Sequence, residues 1–253
     1  MRLFDTHCHF ERADPTGIAS VLRRAKAAGV ERVMAVGGGT ALNLAVETAV
    51  QVFAGNAESQ DMPLVCAAVG YDRDQVSATR PDIPDDLPLA AWGEIGLDYH
   101  YSRETRDAQM KLFASGLEEA RRRDLPVIVH TREADDDTLA LLREIPSRGV
   151  IHCYTGTLEN AKAFLDLGFC ISFAGVVTFK PARGVREVAA FVPDDRLLVE
   201  TDSPYLAPEP LRGTVNEPAN VALTCEFVAR LRGADPETFA ELTFANACRV
   251  FGL

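Results

Sequence analysis

Pro126-Val127-Ile128-Val129-His130-Thr131-Arg132 is the stretch whose reading decides the fold. Three successive β-branched residues give way at once to a histidine, the pattern of a short buried strand with a polar group at its C-terminal edge. A helix-length segment, Ala108–Arg123, precedes it, and another, Leu139–Glu144, follows. The next apolar run, Gly149–Ile151, again ends on a histidine, His152. Strand, helix and strand in that rhythm form a parallel crossover unit. Outward in both directions the rhythm persists. Strands are predicted at Arg2–Asp5, Arg32–Val36, Leu64–Val69, Ala91–Ile95, Pro126–Val129, Gly149–Ile151, Phe169–Phe173 and Leu197–Glu200. Helices are predicted at Gly17–Ala28, Leu42–Phe53, Ala108–Arg123, Leu139–Glu144, Leu158–Leu167, Arg183–Phe191, Val215–Arg232 and Pro236–Phe251. Eight such units favour a closed (β/α)8 TIM barrel over an open doubly wound sheet. Pro81–Pro88 reads as a long loop after the third strand and is too short to divide the chain, so residues 1–253 read as one domain.

Bulk properties exclude several function classes. Hydrophobic residues make up 47% of the chain, enough for an ordinary globular core. No run approaches the roughly 20 apolar residues of a membrane span, and Met1–His7 lacks the apolar core of a secretory signal. The six cysteines show no CxxC pairing; Cys66, Cys170, Cys225 and Cys248 read as free thiols of a reducing compartment. A cytoplasmic location with no membrane partner is expected, with a monomer favoured. The net charge of −11 argues against broad wrapping of nucleic acid. It leaves room for an enzyme that grips a few phosphates at a strand end, where divalent cations reverse the local field.

Barrel enzymes place their chemistry where strands end, and here those ends are rich in ligand groups. The first strand runs into Asp5-Thr6-His7-Cys8-His9. Alternation along extended backbone points His7 and His9 one way and Cys8 the other. Two imidazoles so placed make a compact pair of nitrogen donors. Glu94 follows the apolar Leu89-Ala90-Ala91-Trp92, His130 and His152 close the fifth and sixth strands, and Asp202 lies just past the eighth. Of the five histidines only His100 falls in a loop. Four imidazoles and two carboxylates exceed the needs of one four-coordinate zinc and suit two ions sharing a bridging carboxylate.

In order along essentially the whole chain, these motifs resemble the TatD family of metal-dependent deoxyribonucleases, within the amidohydrolase-like barrels. The carriers are Phe4-Asp5-Thr6-His7-Cys8-His9, Gly93-Glu94-Ile95-Gly96-Leu97-Asp98-Tyr99, Val129-His130-Thr131-Arg132, His152-Cys153-Tyr154-Thr155-Gly156, Glu200-Thr201-Asp202-Ser203-Pro204-Tyr205-Leu206, Asn216-Glu217-Pro218 and Asn246. The resemblance implies that His7, His9 and Asp202 hold one metal, that His130 and His152 hold a second, and that Glu94 bridges. Such a site yields a nucleophile from water near neutral pH and neutralises charge on phosphoryl oxygens. Asp202 is the group expected to orient that water and accept its proton. The implied activity is 3′→5′ exonuclease action on single-stranded DNA or DNA 3′ ends, with a place in DNA repair or turnover. Imidazole-rich ligation leaves Mg2+, Mn2+ and Zn2+ open as the two divalent ions.

Substrate contacts are expected from Arg132, Lys180 and Arg212 to phosphates, and from Tyr154, with Tyr99, to a terminal base. One departure stands out. After the third strand the family usually carries Gly-x-His-Pro, whereas this chain has Gly70-Tyr71-Asp72-Arg73-Asp74. Asp72 is expected to line the site in place of that histidine, and Arg73 to bind phosphate. The same departure keeps open a second reading, a hydrolase of a small ester, lactone, amide or aminoacyl ester.

Overall fold

Each apolar run pairs in parallel with the next along the chain. The strands are β1 (Leu3–Cys8), β2 (Val30–Gly38), β3 (Leu64–Tyr71), β4 (Leu89–Asp98), β5 (Val127–Arg132), β6 (Gly149–Ile151), β7 (Cys170–Phe173) and β8 (Leu197–Val199), and they lie in chain order in one sheet. A parallel bridge between Cys8 and Ser203 brings the last strand's exit back to the first, nearly closing the barrel. The helices α1 (Pro15–Ala27), α2 (Thr40–Asn56), α3 (Arg106–Arg122), α4 (Asp135–Glu144), α5 (Leu158–Asp166), α6 (Arg183–Phe191), α7 (Val221–Leu231) and α8 (Pro236–Phe251) alternate with the strands. This computed structural model describes every residue except 13, 57–59, 78–82, 84 and 102. The loop expected over Pro81–Pro88 therefore lies partly outside the described residues. Among the described residues no helix is long and apolar enough to cross a membrane, and all six cysteines are free thiols.

Two apolar clusters hold the architecture together. Phe4, Met34, Val36, Cys66, Ala68, Ile128, Val150, Cys170 and Leu198 pack with Phe244, Ala247 and Phe251 of α8. That helix plugs the end of the barrel from which the strands start, with the Phe244 ring 6.0 Å from Phe4. A larger cluster between strands and outer helices includes Leu22, Val33, Ala45, Phe113, Leu117, Phe164, Val188 and Val228. Because strand side chains alternate, His130 shares a face with Ile128, His152 with Val150, and Glu200 with Leu198. The interior that is apolar at one end of the barrel is therefore polar at the other.

The structure corrects several sequence boundaries. Strand β4 runs from Leu89 to Asp98 rather than over Ala91–Ile95, which places Glu94 in mid-strand. Helix α4 begins at Asp135, since the run Asp135-Asp136-Asp137 suits a helix N-terminus. The helix expected from Val215 starts only at Val221, after a single 3-10 turn over Pro218–Asn220. Asn216 explains the delay: its side-chain amide donates to the Thr201 carbonyl (3.0 Å) and the Tyr205 carbonyl (2.7 Å), tying this segment to the loop after β8.

Candidate metal centre

Closure of the barrel sets the first ligand group. Asp5, fully buried in β1, accepts hydrogen bonds from the Thr201 backbone N–H (2.8 Å) and from Thr201 Oγ1 (2.6 Å). Burial pushes the Asp5 carboxyl well above the usual range, although the Thr201 hydrogen bonds oppose that shift. The Asp202 N–H then donates to the His7 carbonyl (2.9 Å), and the His9 N–H to the Ser203 carbonyl (2.7 Å). Asp202 is held with φ +53, a left-handed conformation uncommon for a non-glycine residue and frequent at functional sites. Its Oδ1 lies 3.9 Å from His7 Nε2 and 3.6 Å from His9 Nε2. The two imidazoles converge, Nε2 to Nε2, at 3.1 Å. Cys8 points away, its thiol donating to the Met34 carbonyl, as the strand alternation requires.

Glu94 joins this group to the second. Its Oε2 lies 3.6 Å from His7 Nε2 and 3.5 Å from His9 Nε2. Its Oε1 lies 3.1 Å from His130 Nδ1 and 3.2 Å from His152 Nε2. One carboxylate thus faces an imidazole pair with each oxygen. Gly96 lets β4 approach β5 closely enough for this: with φ +154, it sits where a Cβ would run into the His130 carbonyl. Burial opposes ionisation of Glu94, but the charge of His152 and hydrogen bonds from His130, His152 and His7 hold its carboxyl well below the ordinary value. Burial likewise opposes ionisation of Asp202, and the histidines outweigh it. Two ionised carboxylates amid four imidazoles form a donor set for divalent cations.

The outward-facing nitrogens show the same design. His9 Nδ1 is 2.9 Å from the Val36 carbonyl. His130 Nε2 is 3.2 Å from Asp98 Oδ2, and His152 Nδ1 is 3.4 Å from Glu200 Oε1. A carbonyl or carboxylate behind the ring fixes tautomer and orientation and turns the other nitrogen inward as a ligand. Asp98 is itself fixed, because its Oδ1 accepts from the N–H groups of His100 (2.9 Å) and Tyr101 (3.2 Å). Despite the cost of burial, His130 and these contacts hold its pKa at about 2. The ligand atoms of His7, Glu94 and His152 lie within 4.8 Å of one another, as do those of His7, His9 and Asp202, so the residues fit metal ions.

The six ligand positions expected from the sequence are therefore gathered in one place, and Asp72 and Arg73 lie with them. Arg73 Nη1 contacts Asp72 Oδ2 and lies 3.1 Å from Glu94 Oε1. A cavity of about 360 Å³ beside the centre is lined by His9, Gly38, Asp72, Arg73, Glu94 and Tyr205. The other expected substrate contacts divide. Arg132 caps the exposed Tyr101 ring at 4.9 Å and lines a separate cleft of about 670 Å³ with Arg103 and Arg106. Lys180 is exposed beyond β7, and Arg212 stacks on Phe179 at 4.4 Å; neither is among the groups around Glu94. Tyr154 does not offer a face to a base. It is 1% exposed, its ring packs against Phe164, and its hydroxyl donates to the Thr157 carbonyl (2.8 Å). Tyr99 is buried as well and donates to Asp137 (2.7 Å). An exposed aromatic beside the centre is instead Tyr205, its ring 6.3 Å from His9. Asp98, Glu200 and Asp5 carry roles that the sequence reading did not assign. Alternation was the available signal, since Asp98 follows Glu94 by an even step and Glu200 precedes Asp202 by one.

Comparison with known proteins gives the same picture. The profile of the family described as TatD related DNase matches residues 4–252. The chain is 36% identical over 261 residues to the uncharacterized metal-dependent hydrolase YabD of Bacillus subtilis (strain 168), covering 98% of both. It is 50% identical over 166 residues to the uncharacterized metal-dependent hydrolase YcfH of Escherichia coli (strain K12), covering 64% of this chain and 63% of that one. The crystal structure of YJJV, a TatD homologue from Escherichia coli K12, superposes with a TM-score of 0.86 at 30% identity, covering 100% of this chain and 98% of that one. The donor set at the mouth of a parallel barrel is that of a metal-dependent hydrolase, and the chain belongs to the family of TatD-related DNases.

Proposed function

We propose that the protein is a deoxyribonuclease that removes nucleotides from the 3′ end of single-stranded DNA at a dinuclear centre. The observation that carries this reading is the Glu94 carboxylate, whose two oxygens each face an imidazole pair. In it, His7, His9, Asp202 and Glu94 would hold one divalent ion, and His130, His152 and Glu94 the other. Bound Mg2+, Mn2+ or Zn2+ supplies Lewis acidity and lowers the pKa of water. Asp202, ionised and anchored by its backbone to β1, orients the attacking water and takes its proton. Asp98 and the Val36 carbonyl hold two of the rings in register, and Glu200 lies 3.4 Å behind a third, so that little reorganisation is needed at the moment of reaction. Arg132, at the edge of the neighbouring cleft, is the side chain we assign to a phosphate further along the strand; Arg106 there is already paired with Asp137. Six free thiols suit the reducing cytoplasm, which is where we place the enzyme.

A second reading, hydrolysis of a small ester, lactone, amide or aminoacyl ester, is favoured by Asp72-Arg73 standing where the resemblance leads one to expect a histidine. One assay separates the two. Wild type and Glu94→Ala are stripped, reconstituted with Mg2+ or Mn2+, and given a 5′-labelled single-stranded oligonucleotide. A ladder shortening from the 3′ end, absent in the variant, is expected. Intact DNA with metal-loaded wild type, beside turnover of a phosphate-free ester, would select the second reading.

A further inference from the structure

Arg73 is held where a cation is needed. Its Nη1 lies 3.1 Å from Glu94 Oε1, the oxygen that also faces His130 Nδ1 (3.1 Å) and His152 Nε2 (3.2 Å). Its Nε lies 3.9 Å from Oδ2 of Asp98, the carboxylate oxygen behind His130, and its other partner is the buried Asp72. The half of the centre made by Glu94 Oε2, His7, His9 and Asp202 has no such cationic side chain among the described residues. The two halves are therefore unequal. Among the described residues, one donor group that closes to within 4.8 Å is His7, His9 and Asp202; the other, His7, Glu94 and His152, draws on both halves, and neither contains His130.

We propose that Arg73 is a resident cation of the second half-site. The His7–His9–Asp202 half fills first and tightly, and an ion at His130 and His152 binds only by displacing the guanidinium from Glu94. The inference rests on the metal centre proposed above. A guanidinium keeps its charge at every working pH, so it opposes a second divalent ion at the same carboxylate oxygen by direct repulsion. Asp72 anchors the segment, its N–H donating to the Gly38 carbonyl (2.9 Å), while the long Arg73 side chain is 30% exposed toward the adjoining cavity of about 360 Å³. Backbone and charge are thus fixed and the arm has room to leave. While the second ion is absent, Arg73 supplies the positive charge at that half and is placed to meet an anionic oxygen of the substrate. A neutral residue at this position would leave the two half-sites closer in affinity.

The test is Mn2+ titration of the full-length apoprotein by calorimetry and electron paramagnetic resonance. Wild type is compared with Arg73→Ala and with Arg73→Met, which keeps the aliphatic stem; circular dichroism confirms that each variant is folded. Wild type should take one Mn2+ tightly and a second about tenfold or more less tightly. Both variants should tighten the second site by about tenfold while leaving the first within about twofold, and the spin-coupled signal of a pair should appear at lower Mn2+. A second-site affinity unchanged or weakened in both folded variants would overturn the role of Arg73 and leave the metal centre standing. No Mn2+ bound by any of the three proteins would overturn the centre itself, and the inference with it.

Discussion

Glu94 and the rings around it show how much chemistry single residues carry here. In His9 and His130 the nitrogen that faces inward is set by what the other nitrogen meets. For His130 that partner is Asp98, held in turn by the N–H groups of His100 and Tyr101. Asp98→Ala should therefore lower Mn2+ affinity about 10–100-fold while leaving the fold intact, as measured by calorimetry beside circular dichroism. Affinity within twofold of wild type would show that His130 needs no orienting carboxylate. That these six side chains gather in one place was legible in the sequence, because each is a polar residue ending or interrupting a buried strand. Asp98 and Glu200 were visible in the same motifs but unassigned, since nothing in the spacing says which nitrogen a carboxylate will meet. Tyr154 was misread for a related reason. An aromatic near a ligand histidine looks the same in sequence whether it faces solvent or, as here, packs against Phe164.

Among the elements, β1 and β8 matter most, because β1 carries His7 and leads into His9, β8 leads into Asp202, and the first and last strands must meet. β8 is only three residues long, and beyond it the bridge between Cys8 and Ser203, with the Asp202 N–H on the His7 carbonyl, joins its exit to β1. The two hydrogen bonds from Thr201 to Asp5 reinforce that junction. Asp5→Ala leaves the Thr201 N–H buried without its partner and should cost about 1–3 kcal/mol in urea unfolding, with weaker Mn2+ binding as a second consequence. Stability and affinity both unchanged would mean that the barrel closes without this contact. The sequence predicted all eight strands and eight helices near their observed places, because hydrophobic period is a local property. It missed the late start of α7, which depends on Asn216 bonding to Thr201 and Tyr205, a tertiary contact with no local signature. It also stopped β4 short of Asp98, where glycines and charged residues weaken the apolar pattern although pairing with β5 continues to Arg132.

For the molecule as a whole, the barrel separates stability from function. One end is filled by Phe4, Ile128, Leu198 and the aromatic residues of α8, while the other gathers carboxylates and imidazoles. An acidic chain of net charge −11 can meet a polyanion only where its mouth is locally positive, and in the function proposed above divalent cations held at the six-residue centre would supply that charge. Sequence alone indicated the barrel and the metal chemistry, because both rest on ordered motifs along the chain. It did not show that a guanidinium shares Glu94 with the histidines, which depends on where Arg73 sits just past the end of β3. The measurement that tests the account most directly is anomalous diffraction from crystals soaked in Mn2+. The account predicts a strong peak bounded by His7, His9, Asp202 and Glu94, with a second beside His130 and His152 that grows as Mn2+ is raised. Mn2+ located elsewhere on the barrel, with none among these six side chains, would contradict it.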